Sequence, residues 1–248
     1  MMWRRGIIAA CIIALWSVAE ITVAAEPANV ESSSAQPRQL SYEELQALLN
    51  RLEKNLGGLQ TLQVDFVQEK HLSIFTDVVR SEGRILFERP DKVRFEITKP
   101  FRSVLITNGK GVARYECGPD GWKKLDAGDA PVVLIVTGQI GAWLEGRFRD
   151  ESGIYNISVE DDGSPIVVLT PREEGLRRYI SAIRLRLENS LTRVTSVKIC
   201  EPGGDYTLMT FANEKRNEAL AAKAFDTSAA TPVESGGAAG REGADEKK

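Results

Sequence analysis

The stretch Gly83-Arg84-Ile85-Leu86-Phe87-Glu88-Arg89-Pro90-Asp91-Lys92-Val93-Arg94-Phe95 decides the fold. Ile85 and Phe87 alternate with Arg84 and Glu88. Val93, Phe95 and, just beyond, Ile97 alternate with Lys92, Arg94, Glu96 and Thr98. A period of two sends successive side chains to opposite faces, so each half reads as a strand with one apolar and one charged face. Arg89-Pro90-Asp91-Lys92 reads as the tight turn between them, with the fixed φ of proline at its second position. Leu86 alone breaks the alternation. Together these make an antiparallel hairpin from a sheet that buries one side.

The same period continues on both sides. Upstream, Leu62, Val64 and Phe66 alternate with Gln63 and Asp65. Downstream come Val104 and Ile106, a turn at Asn108-Gly109, and a return strand over residues 112–116. The pattern pauses at residues 131–136, Pro-Val-Val-Leu-Ile-Val, which are apolar all round. They fit a buried strand or a short helix with proline in its first turn. A second apolar piece, residues 140–144, includes Trp143. Alternation then resumes through Tyr155, Ile157 and Val159, turns at Asp162-Gly163, and continues over residues 167–170, 183–187, 194–199 and 206–211.

One element has the other period. Ser41 and Glu44 have the S-x-x-E spacing of a capping box, and Leu45, Leu48, Leu49, Leu52 and Leu56 follow on one helical face up to Gly57-Gly58. The fold class is therefore mainly β with a few helices. About eleven short antiparallel strands form a strongly curved sheet or unclosed barrel, covered by an N-terminal helix and short helical segments.

The ends set the compartment and the domain limits. Trp3, Arg4 and Arg5 form a basic region, residues 6–19 an apolar run shorter than a membrane span, and Val23 and Ala25 an A-x-A-like cleavage site. Residues 1–25 read as a signal peptide removed after Ala25, which exports the mature chain to the periplasm. Ile8-Ala9-Ala10-Cys11 has the look of a lipoprotein cleavage box, but the apolar run continues past it, so cleavage after Ala25 is expected. Residues 26–40 and 227–248 are polar, with almost nothing to bury, and read as disordered. The folded unit then spans residues 41–226.

Composition excludes several functions. Losing residues 1–25 removes two basic residues and one acidic residue, moving the net charge from −3 to −4. No basic patch is dense enough for nucleic acid. The single histidine, His71, cannot make a two-histidine metal site within one chain. No nucleophile elbow, phosphate loop or dinucleotide fingerprint is present, and Asp161-Asp162 reads as a turn. The chain is read as no enzyme, without cofactor, and as a monomer. Cys117 and Cys200 remain after export, and the oxidising compartment permits either a disulfide between them or two buried free thiols.

The Gly83–Phe95 stretch resembles the LolA family of periplasmic lipoprotein carriers. The likeness continues through Thr98-Lys99-Pro100, Leu105-Ile106-Thr107-Asn108-Gly109-Lys110 and Leu169-Thr170-Pro171, in matching order from about Leu45 to Asp226. It departs from the family at Phe95, where tryptophan is usual, and in its long polar tail.

The resemblance implies an unclosed barrel whose hydrophobic cavity takes the acyl chains of lipoproteins. It implies transfer from an inner-membrane ABC transporter of the LolCDE kind to a LolB-like outer-membrane acceptor. The alternating strands supply the cavity surface in Val64, Phe66, Ile85, Phe87, Val93, Phe95, Ile97, Val104 and Ile106. Periodicity alone favours an ordinary filled core; the resemblance is what makes that surface a cavity. It also makes residues 131–136 a lid, with Val132, Val133, Leu134, Ile135 and Val136 facing the cargo, and carries the lid-latching arginine onto Arg89. By parity Arg89 shares a face with Ile85 and Phe87, where a guanidinium needs acceptors such as carbonyls at helix ends. Related open-barrel modules are the alternative: a glycolipid carrier, a LolB-like acceptor or an RseB-like sensor. An acceptor of that kind needs an anchoring cysteine at its mature N-terminus, and a sensor needs a second domain.

Overall fold

The computed structural model describes residues 40–125, 143, 146–148 and 153–228. The expected signal peptide, residues 26–39, the tail beyond Ser228 and the expected lid residues Val132, Val133, Leu134, Ile135 and Val136 lie outside them.

Helix α1 (Tyr42–Leu56) forms where its signals place it. Ser41 Oγ accepts from the Glu44 N–H, and the Glu44 carboxylate accepts in return from the Ser41 N–H at 2.9 Å. Leu49, Leu52 and Leu56 form its buried stripe. Eleven strands follow: β1 (Thr61–His71), β2 (Val79–Glu88), β3 (Lys92–Lys99), β4 (Ser103–Asn108), β5 (Val112–Gly118), β6 (Gly121–Leu125), β7 (Tyr155–Asp161), β8 (Pro165–Pro171), β9 (Ala182–Leu187), β10 (Val194–Cys200) and β11 (Tyr206–Arg216). A one-turn helix, α2 (Glu174–Arg177), joins β8 to β9.

All eleven strands belong to one antiparallel sheet, in the order β6-β5-β4-β3-β2-β1-β11-β10-β9-β8-β7. Only the β1–β11 pairing joins strands distant in sequence. Among the described residues the two edges, β6 and β7, are not paired, so the barrel is unclosed. A sheet of this width curls rather than staying flat, and α1 lies on its inner face.

The turns form as the sequence predicts. Gly109 and Gly163 take φ of +75° and +106°, values that favour glycine. The Asn108 side chain accepts from the N–H groups of Lys110 and Gly111. The Arg89–Pro90 and Lys99–Pro100 peptide bonds are cis.

The inner face carries two apolar clusters. The α1 stripe packs with Trp143 and Phe148 onto Val167, Leu169, Ile183, Leu185 and Leu187 of β8 and β9. Gly146, at φ +75°, lets the chain near Trp143 approach α1, because a Cβ there would lie 2.6 Å from the Leu52 carbonyl oxygen. The second cluster joins β1, β2, β3 and β11 through Leu62, Val64, Phe66, Ile85, Phe87, Val93 and Met209.

The outer face is charged over β7 to β9, where Arg184 makes a bidentate pair with Glu160 and Arg186 one with Asp162. Over β4 and β5 it is apolar and covered, beside the buried Arg94–Glu96 pair of β3. Val104, Ile106, Ala113 and Tyr115 lie there under Phe225. The Tyr115 hydroxyl donates to the Thr227 carbonyl at 2.9 Å, and Arg94 donates to the Ala224 carbonyl at 3.4 Å. The chain past β11 therefore straps this side of the sheet through Thr227, one residue beyond the limit expected at Asp226.

Candidate functional site

The site is the inner face of the β1–β4 half. Cross-strand register sets which side chains share it. Leu62 pairs with Phe87, Val64 with Ile85, and Phe66 with Gly83 across β1–β2. Ile85 pairs with Phe95, Phe87 with Val93, and Gly83 with Ile97 across β2–β3. These pairings bring together seven of the predicted residues: Val64, Phe66, Ile85, Phe87, Val93, Phe95 and Ile97.

Gly83 shapes the middle of this surface. A Cβ there would meet the Phe66 ring at 2.5 Å. With no side chain in the way, Phe66 lies across β2 and stacks on Phe95, with ring centroids 4.8 Å apart.

Val104 and Ile106 do not belong to it. Val104 pairs with Glu96 and Ile106 with Arg94, so both point outward into the cluster beneath Phe225. The residue the sequence reading missed is Leu105, which pairs with Phe95 and takes the inner position on β4. Met209 and Phe211 of β11 were also missed, although both pack into the same cluster.

Both halves of the inner face have sealed centres and partly exposed margins. Over β7 to β10, α1 covers a cluster in which Leu52, Val167 and Leu185 are sealed from solvent. Over β2 to β4 and on β11, Phe95, Ile97, Leu105 and Phe211 stay half-exposed. Each keeps apolar surface that a ligand would remove from water. Where the halves meet, Leu56, Leu59, Leu62, Val64, Val194 and Phe211 line a small depression, with Arg193, Glu214 and Arg216 beside it.

Arg89 stands at the α1 end of this surface. Its Nε donates to the Leu59 carbonyl and one terminal nitrogen to the Gly57 carbonyl, each at 3.1 Å. Gly57 caps α1. Arg89 thus meets the negative end of the helix dipole as well as two carbonyls. It ties the β2–β3 turn to the chain leaving α1; the expected lid residues lie outside the described ones.

Elsewhere the chemistry is structural. Cys117 on β5 and Cys200 on β10 are both free and half-buried, on strands six positions apart in the sheet, so the disulfide considered from sequence is not formed. His71 stacks on Tyr206, with centroids 4.2 Å apart. Among the described residues no three His, Cys, Asp or Glu side chains converge on a metal site.

The chain is similar to known proteins. Residues 57–228, more than half of the chain, match the family model described as outer membrane lipoprotein carrier protein LolA. The outer-membrane lipoprotein carrier protein of Methylococcus capsulatus is 27% identical over 183 residues, covering 72% of this chain and 82% of the relative. That of Yersinia enterocolitica is 25% identical over 176 residues, covering 69% and 79%. A solved LolA superfamily protein from Nitrosomonas europaea, 12% identical, aligns over 73% of this chain and 96% of its own at a TM-score of 0.37. With its unclosed eleven-stranded sheet and a family match across nearly all of it, the chain belongs to the LolA family, whose members are carriers and not enzymes.

Proposed function

We propose that this protein is a periplasmic carrier that shields the acyl chains of lipoproteins on its inner face while they move from the inner to the outer membrane. The observation that carries the reading is the apolar inner surface of β2 to β4 and β11, left half-exposed at Phe95, Ile97, Leu105 and Phe211. Acyl chains carry about 0.8 kcal/mol of transfer free energy per CH₂. A carrier must offer comparable apolar surface and still release it. The relatives' description as outer-membrane lipoprotein carriers supports lipoprotein as cargo. On this reading export follows from the signal-like residues 1–25, the donor is an ABC transporter of the LolCDE kind, and the acceptor is LolB-like.

Release needs two states of similar free energy, otherwise the carrier would refuse cargo or keep it. Arg89 favours the closed one by tying the end of α1 to the β2–β3 turn, and loading breaks that tie.

Mass spectrometry of lipid copurifying with the exported protein tests cavity and cargo together, and acylated protein or peptide is expected. Phe95→Glu places a charge on the inner face and should abolish binding of a fluorescent fatty-acyl probe while the far-UV β signal persists. Wild-type protein that binds no acyl probe, with Phe95→Glu simply unfolding, would make the inner face an ordinary core.

A further inference from the structure

The inner face is not apolar throughout. At the end of β1 far from α1, register brings five polar side chains to that face from four neighbouring strands. Gln68 pairs with Ser81 of β2 and with Met209 of β11, and Lys70 pairs with Thr207 of β11. Thr207 pairs with Ile199 of β10, whose next inward residue is Glu201. Met209 and Ile199 belong to the inner clusters, which fixes the side.

Two of these residues are buried, Gln68, Lys70 and Glu201 are partly exposed, and three of the five have an unpartnered atom. Thr207 is 0% exposed and Ser81 8%. Gln68 Oε1, Glu201 Oε1 and Thr207 Oγ1 are shut from solvent without a hydrogen-bond partner in the protein. The Lys70 ammonium stands 3.6 Å from Glu201 Oε1, an ion pair too long for a hydrogen bond. Buried polar atoms are nearly always satisfied. Three unsatisfied atoms on one patch of a ligand-bearing face therefore point to a ligand that satisfies them.

We infer that Gln68, Thr207 and Glu201, with Lys70 at the rim, form a polar subsite for the amide-bearing head of an N-acylated lipopeptide. The chemistry selects that class. The Glu201 carboxylate only accepts, so it needs an N–H or O–H, whereas the Thr207 hydroxyl can donate to a carbonyl. An N-acyl amide followed by peptide bonds supplies both, and a hydrocarbon chain supplies neither.

The distances agree with this placement. From Gln68 to Leu62 β1 spans about 20 Å at roughly 3.3 Å per residue. One leaflet of hydrocarbon is about 15 Å deep, half of a bilayer core. A chain whose head sits at Gln68 and Thr207 thus runs past Phe211, the cross-strand neighbour of Phe66, and ends before α1.

The inference rests on the carrier reading, and the test separates the two. The probes are a tripalmitoylated cysteinyl peptide, which has amide N–H groups, and tripalmitin, which has three palmitoyl chains and no donor. Wild type should bind the peptide at least tenfold more tightly. Thr207→Val, nearly isosteric, and Gln68→Leu should each lose most of that preference while keeping wild-type affinity for tripalmitin, which also shows that they fold. Unchanged peptide preference in both variants would overturn the subsite and leave the carrier reading standing. Loss of both ligands together would make these residues structural and overturn it too. Wild type binding neither probe would remove both.

Discussion

Replacing Arg89 with leucine isolates the tie between α1 and the sheet. Among the described residues the guanidinium donates two hydrogen bonds, to the Leu59 and Gly57 carbonyls at 3.1 Å each. A hydrogen bond involving a charged group contributes about 1.5–3 kcal/mol. The two share one partly buried side chain and are not independent, so about 2–3 kcal/mol for the pair is reasonable. At about 1.4 kcal/mol per tenfold, that is roughly a 30- to 140-fold increase in the population with α1 released. Leucine keeps an apolar stem against the sheet, so the fold should survive. Hydrogen exchange reads the change directly. The α1 amides around Leu49, Leu52 and Leu56 should exchange faster by that factor, whereas β5, whose cluster with β4 contains no α1 residue, should be unaffected. In a transfer assay the loaded variant should accumulate in the soluble fraction, because the closed state no longer helps expel cargo. Arg89→Lys, with a single compact cation, cannot span both carbonyls and should fall between. Unchanged α1 exchange together with normal transfer by Arg89→Leu would refute the reasoning and leave Arg89 an ordinary turn-flanking charge.

Two further outcomes follow from buried charges. Arg94 is 1% exposed, its Nε bonded to the Glu96 carboxylate at 3.1 Å. Arg94→Leu strands that carboxylate and should cost about 3–5 kcal/mol, a fall in Tm of roughly 6–20 °C; Arg94→Leu with Glu96→Leu should recover most of it, and a double variant no more stable than the single would contradict the ion-pair account. Burial raises the Glu214 pKa above its usual value, against the pull of Arg216 and Arg193. A carboxyl raised on folding contributes stability below its unfolded pKa and loses that contribution as pH rises through the folded one. Glu214→Gln should therefore raise Tm near pH 7 and converge on wild type below about pH 4; a variant less stable at neutral pH would show that the arginines outweigh burial.

Local signals in the sequence were sound where the physics is local. The Ser41–Glu44 capping box, the leucine stripe of α1 and the glycine turns at 109 and 163 form as read. Strand β6 escaped notice because Gly-Trp-Lys-Lys-Leu carries no apolar alternation. The face of Val104 and Ile106 was not legible from alternation, since parity does not carry across the turn at Lys99–Arg102. Only the pairing of Ile97 with Ser103 sets it. Leu86 was the available clue. It pairs with Arg94 on the outer face and is 1% exposed, which already required that side to be covered. What covers that side over β3 to β5 is the segment past β11, about 120 residues away in sequence, and no window-based pattern reports it. Arg89 was identifiable as a cation in need of acceptors, but which carbonyls it reaches depends on how the end of α1 meets the sheet.

The central claim is that acyl chains lie on the inner face and not elsewhere. Photocrosslinking from single positions tests it most directly, with a benzophenone side chain at Ile97, half-exposed and inward, or at Trp122, half-exposed and outward. With lipoprotein carrying labelled palmitoyl chains, Ile97 should crosslink to the acyl label and Trp122 should not. Equal crosslinking from both, or from Trp122 alone, would contradict the account.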